Sequence, residues 1–334
     1  MITDARVLQP EFIPREVKHR DGEVNHLSSV LRPILNDDQP DPAFLYGSTG
    51  VGKTCIAQFT VEQLREHMPE LNKQYVNCWE HYSGFKTLYT ILEGIDETID
   101  IHRQSTPKDV LIDRLRDYNG PPYVVILDEV DQLEDKTLLY DLYRIPELTM
   151  VLIANTEQGL FAGVDDRLNS RLTDTAHIHF RGYDTEELVT ILQDRVRWGL
   201  SPDAIDEARL QTIASYAGGG ARVAISILRK AARTAKKQLY DEIPDTVIRK
   251  VVSEAKAEIR QKAVDQLKAH QQVLYQIITE HGEIRPQELR EEYAKRVDDP
   301  LTNRMVRNYL SKLEHYHLIK SEGNTKARVY HTVR

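Results

Sequence analysis

The eight residues Gly47-Ser-Thr-Gly-Val-Gly-Lys-Thr54 restrict what this chain can be more than any other stretch. They follow the apolar run Ala43–Tyr46 and precede a segment with helical spacing, so they read as a tight turn from a buried strand into a helix. Gly47, Gly50 and Gly52, with Ser48, Thr49 and Val51 between them, let the backbone turn its N–H groups inward. The helix that opens immediately afterwards adds the positive end of its dipole. Such a loop cradles a β-phosphate. Lys53 is placed to neutralise β- and γ-phosphates, and the Thr54 hydroxyl to hold Mg2+.

The rest of the chain supplies a sheet for that turn. Strand-like runs at Ala43–Tyr46, Gln74–Asn77, Tyr123–Leu127 and Thr149–Ala154 alternate with helical stretches, the first being Glu23–Leu35 with Val24, Leu27, Val30, Leu31 and Ile34 on one face. That alternation predicts an α/β fold, a parallel sheet covered on both sides. After Phe180 the strands stop. Asp184 and Glu187 form a capping-box pattern opening a helix over Thr185–Val196. Ser201-Pro202 is expected to open another, and one runs from Ala221 to Leu239 after Gly218-Gly219-Gly220. Pro244 starts a long polar helix to about His270, followed by helices and a hairpin around Glu322-Gly323-Asn324. The chain of 334 residues thus divides into an α/β base with an N-terminal wrap over 1–181, a small helical domain over 182–258 and a C-terminal domain over 259–334.

Two further motifs belong to the same site. Tyr123-Val-Val-Ile-Leu-Asp-Glu129 is a buried strand ending in two acids. Asp128 would hold Mg2+ and Glu129 would orient or deprotonate an attacking water. Asp131 and Glu134, just beyond, read as solvated. Asn155 follows the run Thr149–Ala154, where its amide either positions water against a γ-phosphate or simply starts a turn.

Composition narrows the partners. No run of 18 apolar residues exists, and the first twenty residues lack the apolar core of a signal peptide, so no membrane is expected. Two cysteines make no disulfide framework and suit a reducing cytoplasm. The net charge of −8 hides an asymmetry: residues 301–334 carry seven Lys or Arg against two Glu. A basic end on an acidic body points to a local nucleic-acid contact. An excess of 27 Arg over 17 Lys in an acidic chain also suits a high-salt cytoplasm.

The order GSTGVGKT, VVILDEVDQL, VLIANT resembles Walker A, Walker B and sensor 1 of AAA+ ATPases. Within them, the chain from about residue 10 onward resembles the archaeal initiators that combine the roles of the origin-recognition complex and the cell-division-cycle licensing factor. Phe12–Arg20 is similar to that family's opening box near the adenine, and Leu127–Leu133 to its Walker B. The resemblance implies a AAA+ base, a helical lid and a winged helix, with ATP or ADP and Mg2+ as cofactors. It extends the nucleotide-contacting set to Cys55 and Tyr183. It makes Arg167, or Arg171 in the same run, an arginine reaching a neighbouring subunit's γ-phosphate, and Arg222 the sensor 2 arginine of the lid. Here Gly220 stands where the family more often has an acid.

At the C-terminal end, the helix from Thr302 to Glu314 sets Val306, Tyr309, Leu310 and Leu313 on one face and Arg304, Arg307, Asn308 and Ser311 on the other. Arg and Asn suit base edges and phosphates in a major groove. Lys312 would take phosphate, and the hairpin after it, with Lys326 and Arg328, reads as a wing. The family also places a DNA-touching insertion where Ser83–Lys108 lies, with Lys86, His102 and Arg103. The implied function is a nucleoid-associated, cytoplasmic replication initiator. It would bind origin repeats in double-stranded DNA, switch with slow ATP hydrolysis, self-associate on DNA and recruit an MCM-type replicative helicase. A AAA+ ATPase for plasmid maintenance or transposition, or an ATP-gated DNA-binding regulator, stays open at this point.

Overall fold

Among the described residues, five parallel strands form the main sheet: β1 (Ala43–Tyr46), β2 (Asn72–Asn77), β3 (Tyr123–Asp128), β4 (Leu148–Ala154) and β5 (Ala176–His179), in the order β2-β3-β4-β1-β5. The computed structural model describes all residues except 37, 104, 162–163, 165, 174, 266, 317, 324–327 and 334, and except the side chains at 166–168, 256, 262 and 315. By its internal packing the chain divides into two units, Met1–Val251 and Val252–Arg334. The boundary expected after residue 258 falls inside the helix Asp245–Asp265.

Successive residues of a strand face opposite ways, and the sheet uses both faces. Phe44, Val76, Val125, Leu127, Met150 and Leu152 pack with the helices Gly84–Glu93, Lys108–Arg116 and Thr137–Tyr143. Ala43, Leu45, Val124, Ile126, Val151 and Ile153 pack with Asp21–Leu31 and Lys53–His67. Every residue of β3 and β4 is buried, which is why both read as unbroken apolar runs. β5 was not expected. Its sequence, Ala-His-Ile-His, buries only Ile178 and sits at the sheet edge beside β1, too short and polar to register as an apolar run.

The helical part of the first unit holds Thr185–Gly199, Glu207–Ala217 and Ala221–Lys237 against one another. The Asp184–Glu187 capping box is present: each side chain accepts from the other's backbone N–H, at 2.8 and 3.0 Å. Ser201-Pro202 does not open a helix, contrary to expectation. The Ser201 N–H donates to the Met1 carbonyl at 2.6 Å, and the next helix starts at Glu207 behind Asp206, whose carboxylate accepts from Arg209 N–H. The long polar helix also ends earlier than expected, at Asp265. A new helix begins at Ala269, with Lys268 N–H turned to the Gln271 amide oxygen and Leu267 buried in the break.

The second unit contains the helices Ala269–His281, Pro286–Arg296 and Asn303–His315. They pack with an antiparallel sheet of β6 (Glu283–Ile284), β7 (Ile319–Glu322) and β8 (Val329–Thr332), in the order β6-β8-β7. This is a winged-helix arrangement with a third short strand that the hairpin reading lacked. No described helix of the chain is long and apolar enough to cross a membrane.

Candidate nucleotide-binding site

β4 runs between β1 and β3. The loop after β1, the acids after β3 and the amide after β4 therefore converge at one carboxyl edge, where parallel sheets place their ligands. Gly50 and Gly52 have φ of +83° and +99°, a region that side chains disfavour. A Cβ on Gly52 would stand 2.9 Å from the Tyr183 hydroxyl, and one on Gly47 would meet the Phe180 carbonyl at 2.2 Å. Gly52 caps the 15-residue helix Lys53–His67 without any side-chain hydrogen bond, so the first-turn N–H groups face the loop.

Lys53 is buried, and its ammonium donates to the Gly47 carbonyl (2.6 Å), the Ser48 carbonyl (2.8 Å) and Asn155 Oδ1 (3.1 Å). All three acceptors are neutral. Burial pushes its pKa down to about 8, against the nearby charge of Asp128. A desolvated cation held by neutral dipoles fits an anionic ligand. Asn155 is buried at the tip of β4 and also faces the Thr49 hydroxyl at 3.4 Å. This places its amide beside the phosphate loop.

Asp128 closes the other side. Its Oδ2 accepts from the Thr54 hydroxyl at 2.6 Å and from the Tyr75 hydroxyl at 3.0 Å, while Oδ1 accepts from Glu129 N–H at 2.9 Å. Thr54 and Asp128 are thus already together, the oxygen pair expected to hold Mg2+. Glu129 is half-buried, with φ 55° and ψ 43°, a left-handed conformation that costs a non-glycine residue on the order of 1 kcal/mol or more.

The helical lid meets this loop inside the first unit. Arg222 N–H donates to the Gly50 carbonyl at 3.4 Å, and the exposed Arg222 side chain leaves the first turn of Ala221–Lys237 beside it. Tyr183, the first residue after Gly182, is buried under the Arg20 guanidinium at 4.1 Å, and its N–H donates to the Gly219 carbonyl. Arg20 is a site-adjacent residue that sequence reasoning passed over. It is buried, donates to the Val51 and Arg181 carbonyls at 3.1 and 2.6 Å, and pairs with Glu23. The only hint in the sequence was its place at the end of the Phe12–Arg20 box. Cys55 is half-buried in the first helical turn, its thiol pushed up by burial.

The two arginine candidates lie on the helix Asp166–Thr173. The Arg167 side chain lies outside the described residues. Arg171 is exposed and stacks over Tyr143 at 5.1 Å. In the second unit, Val306, Leu310 and Leu313 are buried while Arg304, Arg307, Asn308 and Ser311 are exposed on the opposite face of Asn303–His315. Tyr309 is half-buried, with the Lys312 ammonium over its ring at 5.9 Å. Arg328 is exposed beside β8, and Lys326 lies outside the described residues. In Ser83–Lys108, Lys86 and Arg103 lie over Tyr82 and Tyr89, and His102 N–H is held by Thr106.

A sheet in which β4 separates β1 from β3, with a helical lid whose last helix starts against the phosphate loop, makes this chain an ATPase of the AAA+ class. Residues 37–162 match the family model of an AAA domain, and residues 189–255 that of a Cdc6 AAA+ ATPase-type lid domain. The chain is 63% identical over 308 residues to ORC1-type DNA replication protein 1 of Halobacterium salinarum, which spans 92% of this chain and 100% of that one. It is 50% identical over 333 residues to ORC1-type DNA replication protein 9 of the same organism, spanning 100% of this chain and 94% of that one. It belongs to the ORC1-type family of archaeal replication proteins. The structure of the Aeropyrum pernix ORC1 protein in complex with DNA shares its fold, with a TM-score of 0.76 over 99% of this chain and 92% of that one, at 23% identity.

Proposed function

We propose that this chain is a replication initiator that binds repeated elements in double-stranded origin DNA through Arg304, Arg307, Asn308, Ser311 and the wing, and that ATP with Mg2+ sets its state. The observation that carries the nucleotide half is the buried Lys53 ammonium, held by neutral oxygens only, beside the start of the lid helix. A γ-phosphate there would give Lys53 its counter-charge, meet the Asn155 amide and lie within reach of the Arg222 side chain. ATP and ADP would then bias the lid differently. Mg2+ would supply charge neutralisation between the phosphates, held by Thr54 and Asp128, with Glu129 orienting water for slow hydrolysis. Arg167 would act on a neighbouring copy assembled on DNA, and the assembly would recruit an MCM-type helicase.

The test is binding of the full chain to fragments flanking its own gene, with ATP and with ADP, over a salt series. The expected result is tight, sequence-selective binding to a repeated element that differs between the two nucleotides. Weak, sequence-blind binding would refute the origin role and favour an accessory ATPase.

A further inference from the structure

Tyr75 has no place in the phosphate loop, the acid pair or the lid, yet its hydroxyl ends on the acid pair. It lies on the edge strand β2, in register with Ile126 of β3. Alternate residues share a face, so Tyr75 shares the face of Ile126 and Asp128, the one covered by the helix Lys53–His67. From there the phenol reaches Asp128 Oδ2 at 3.0 Å, the oxygen that also takes the Thr54 hydroxyl at 2.6 Å. Glu129 N–H holds the other oxygen at 2.9 Å. Three donors from three elements therefore fix one carboxylate, and the most removable of them is Tyr75, a residue 37% exposed.

We propose that Tyr75 is a positioning residue for Asp128: its hydroxyl fixes the plane of the carboxylate that Mg2+ meets when a nucleotide is bound. The inference rests on the nucleotide reading above. Two of the three donors belong to the site's own machinery, Thr54 in the phosphate loop and Glu129 in the acid pair. Tyr75 is the outside support. Without it, Asp128 Oδ2 keeps a single donor and the carboxylate gains torsional freedom that binding must remove. Among the described residues no hydrogen bond joins the loop, Lys53 or the lid to the Tyr75 side chain, so phosphate binding without metal is expected to depend little on it.

The experiment titrates Mg2+ into the full chain with a fluorescent ATP analogue, comparing the parent with Tyr75→Phe, and repeats nucleotide binding in EDTA. The thermal midpoint monitors folding, and the exposure of the residue makes this substitution mild. The expected result is nucleotide affinity in EDTA within about twofold of the parent, but a half-saturating Mg2+ concentration raised about three- to tenfold, the range for losing one ordinary hydrogen bond. An unchanged Mg2+ midpoint overturns the proposal. So does an equal loss of affinity in EDTA, because Tyr75 would then act on the nucleotide pocket and not on the carboxylate. Lys53→Ala serves as the control for the underlying reading. If it binds nucleotide as well as the parent does, the nucleotide site itself is wrong and the role of Tyr75 falls with it.

Discussion

The pH behaviour of Lys53 follows from its surroundings. Its pKa is about 8 in the folded chain against the ordinary 10.5. Between those values the unfolded chain keeps a proton that the folded chain has shed, so this residue makes the fold more stable as pH rises through that window. A shift of this size corresponds to roughly 3 kcal/mol across it. The stability deficit of the parent relative to Lys53→Met should therefore shrink by about that much between pH 7.5 and 10.5 in urea titrations. A constant difference would mean that the ammonium is not desolvated. Nucleotide binding should respond in the opposite direction, weakening above pH 8 as the lysine loses its charge. Lys53→Ala should abolish binding, while Glu129→Gln should bind ATP but lose turnover in a phosphate-release assay. Undiminished release would remove Glu129 from its assigned role.

Local patterns carried much of this architecture, and they stopped where a residue's partner lies far away in sequence. The glycines, Lys53 and Thr54 are legible because one strand–turn–helix contains them. Asp128 is legible because a buried strand ends on it. Tyr75 is not, because its partner is 53 residues away and the contact depends on β2 lying beside β3. Arg20 is missed for the same reason, since its acceptors at Val51 and Arg181 come from the phosphate loop and from the residue after Phe180. The N-terminal wrap shows the same logic at the scale of an element. Residues 1–12 are held to the helix Thr185–Gly199 and its end by a bridge between Ile2 and Leu200 and by Arg195 donating to the Val7 and Phe12 carbonyls at 3.0 Å each, and to the helix Ala221–Lys237 by Arg229 donating to Gln9 at 2.7 Å. Val7 and Leu8 are buried under it. Arg195→Ala strands two carbonyls and should destabilise the first unit by about 2–4 kcal/mol. It should also loosen the backbone around Arg6 and Arg15, whose side chains are already exposed, so that trypsin cuts there well below the global unfolding concentration of urea. Unchanged trypsin resistance would show that the strap is held by its apolar contacts alone.

For the whole molecule, charge distribution decides how DNA can be held. The chain is acidic overall at −8, so the basic excess at residues 301–334 belongs to a chain whose other residues carry a net negative charge that repels phosphate. A contact confined to a few cations predicts a modest salt dependence, since each neutralised phosphate contributes a slope of about −0.9 in log affinity against log salt. The exposed face of Asn303–His315 offers two kinds of side chain, and they should separate in that measurement. A residue that only neutralises phosphate should, when changed to Ala, weaken all sequences alike and lower the slope by about one. A residue that reads a base should cost roughly 1–3 kcal/mol on the preferred element and little on random DNA. Arg304 leads the first turn of the helix and Arg307 follows one turn later, with Asn308 beside it, all exposed. The prediction is therefore that Arg307→Ala and Asn308→Ala lose selectivity while Arg304→Ala loses salt dependence. If all three lower affinity equally on preferred and random DNA, the helix tracks the backbone, and selectivity must come from the deformability of the DNA rather than from its base edges.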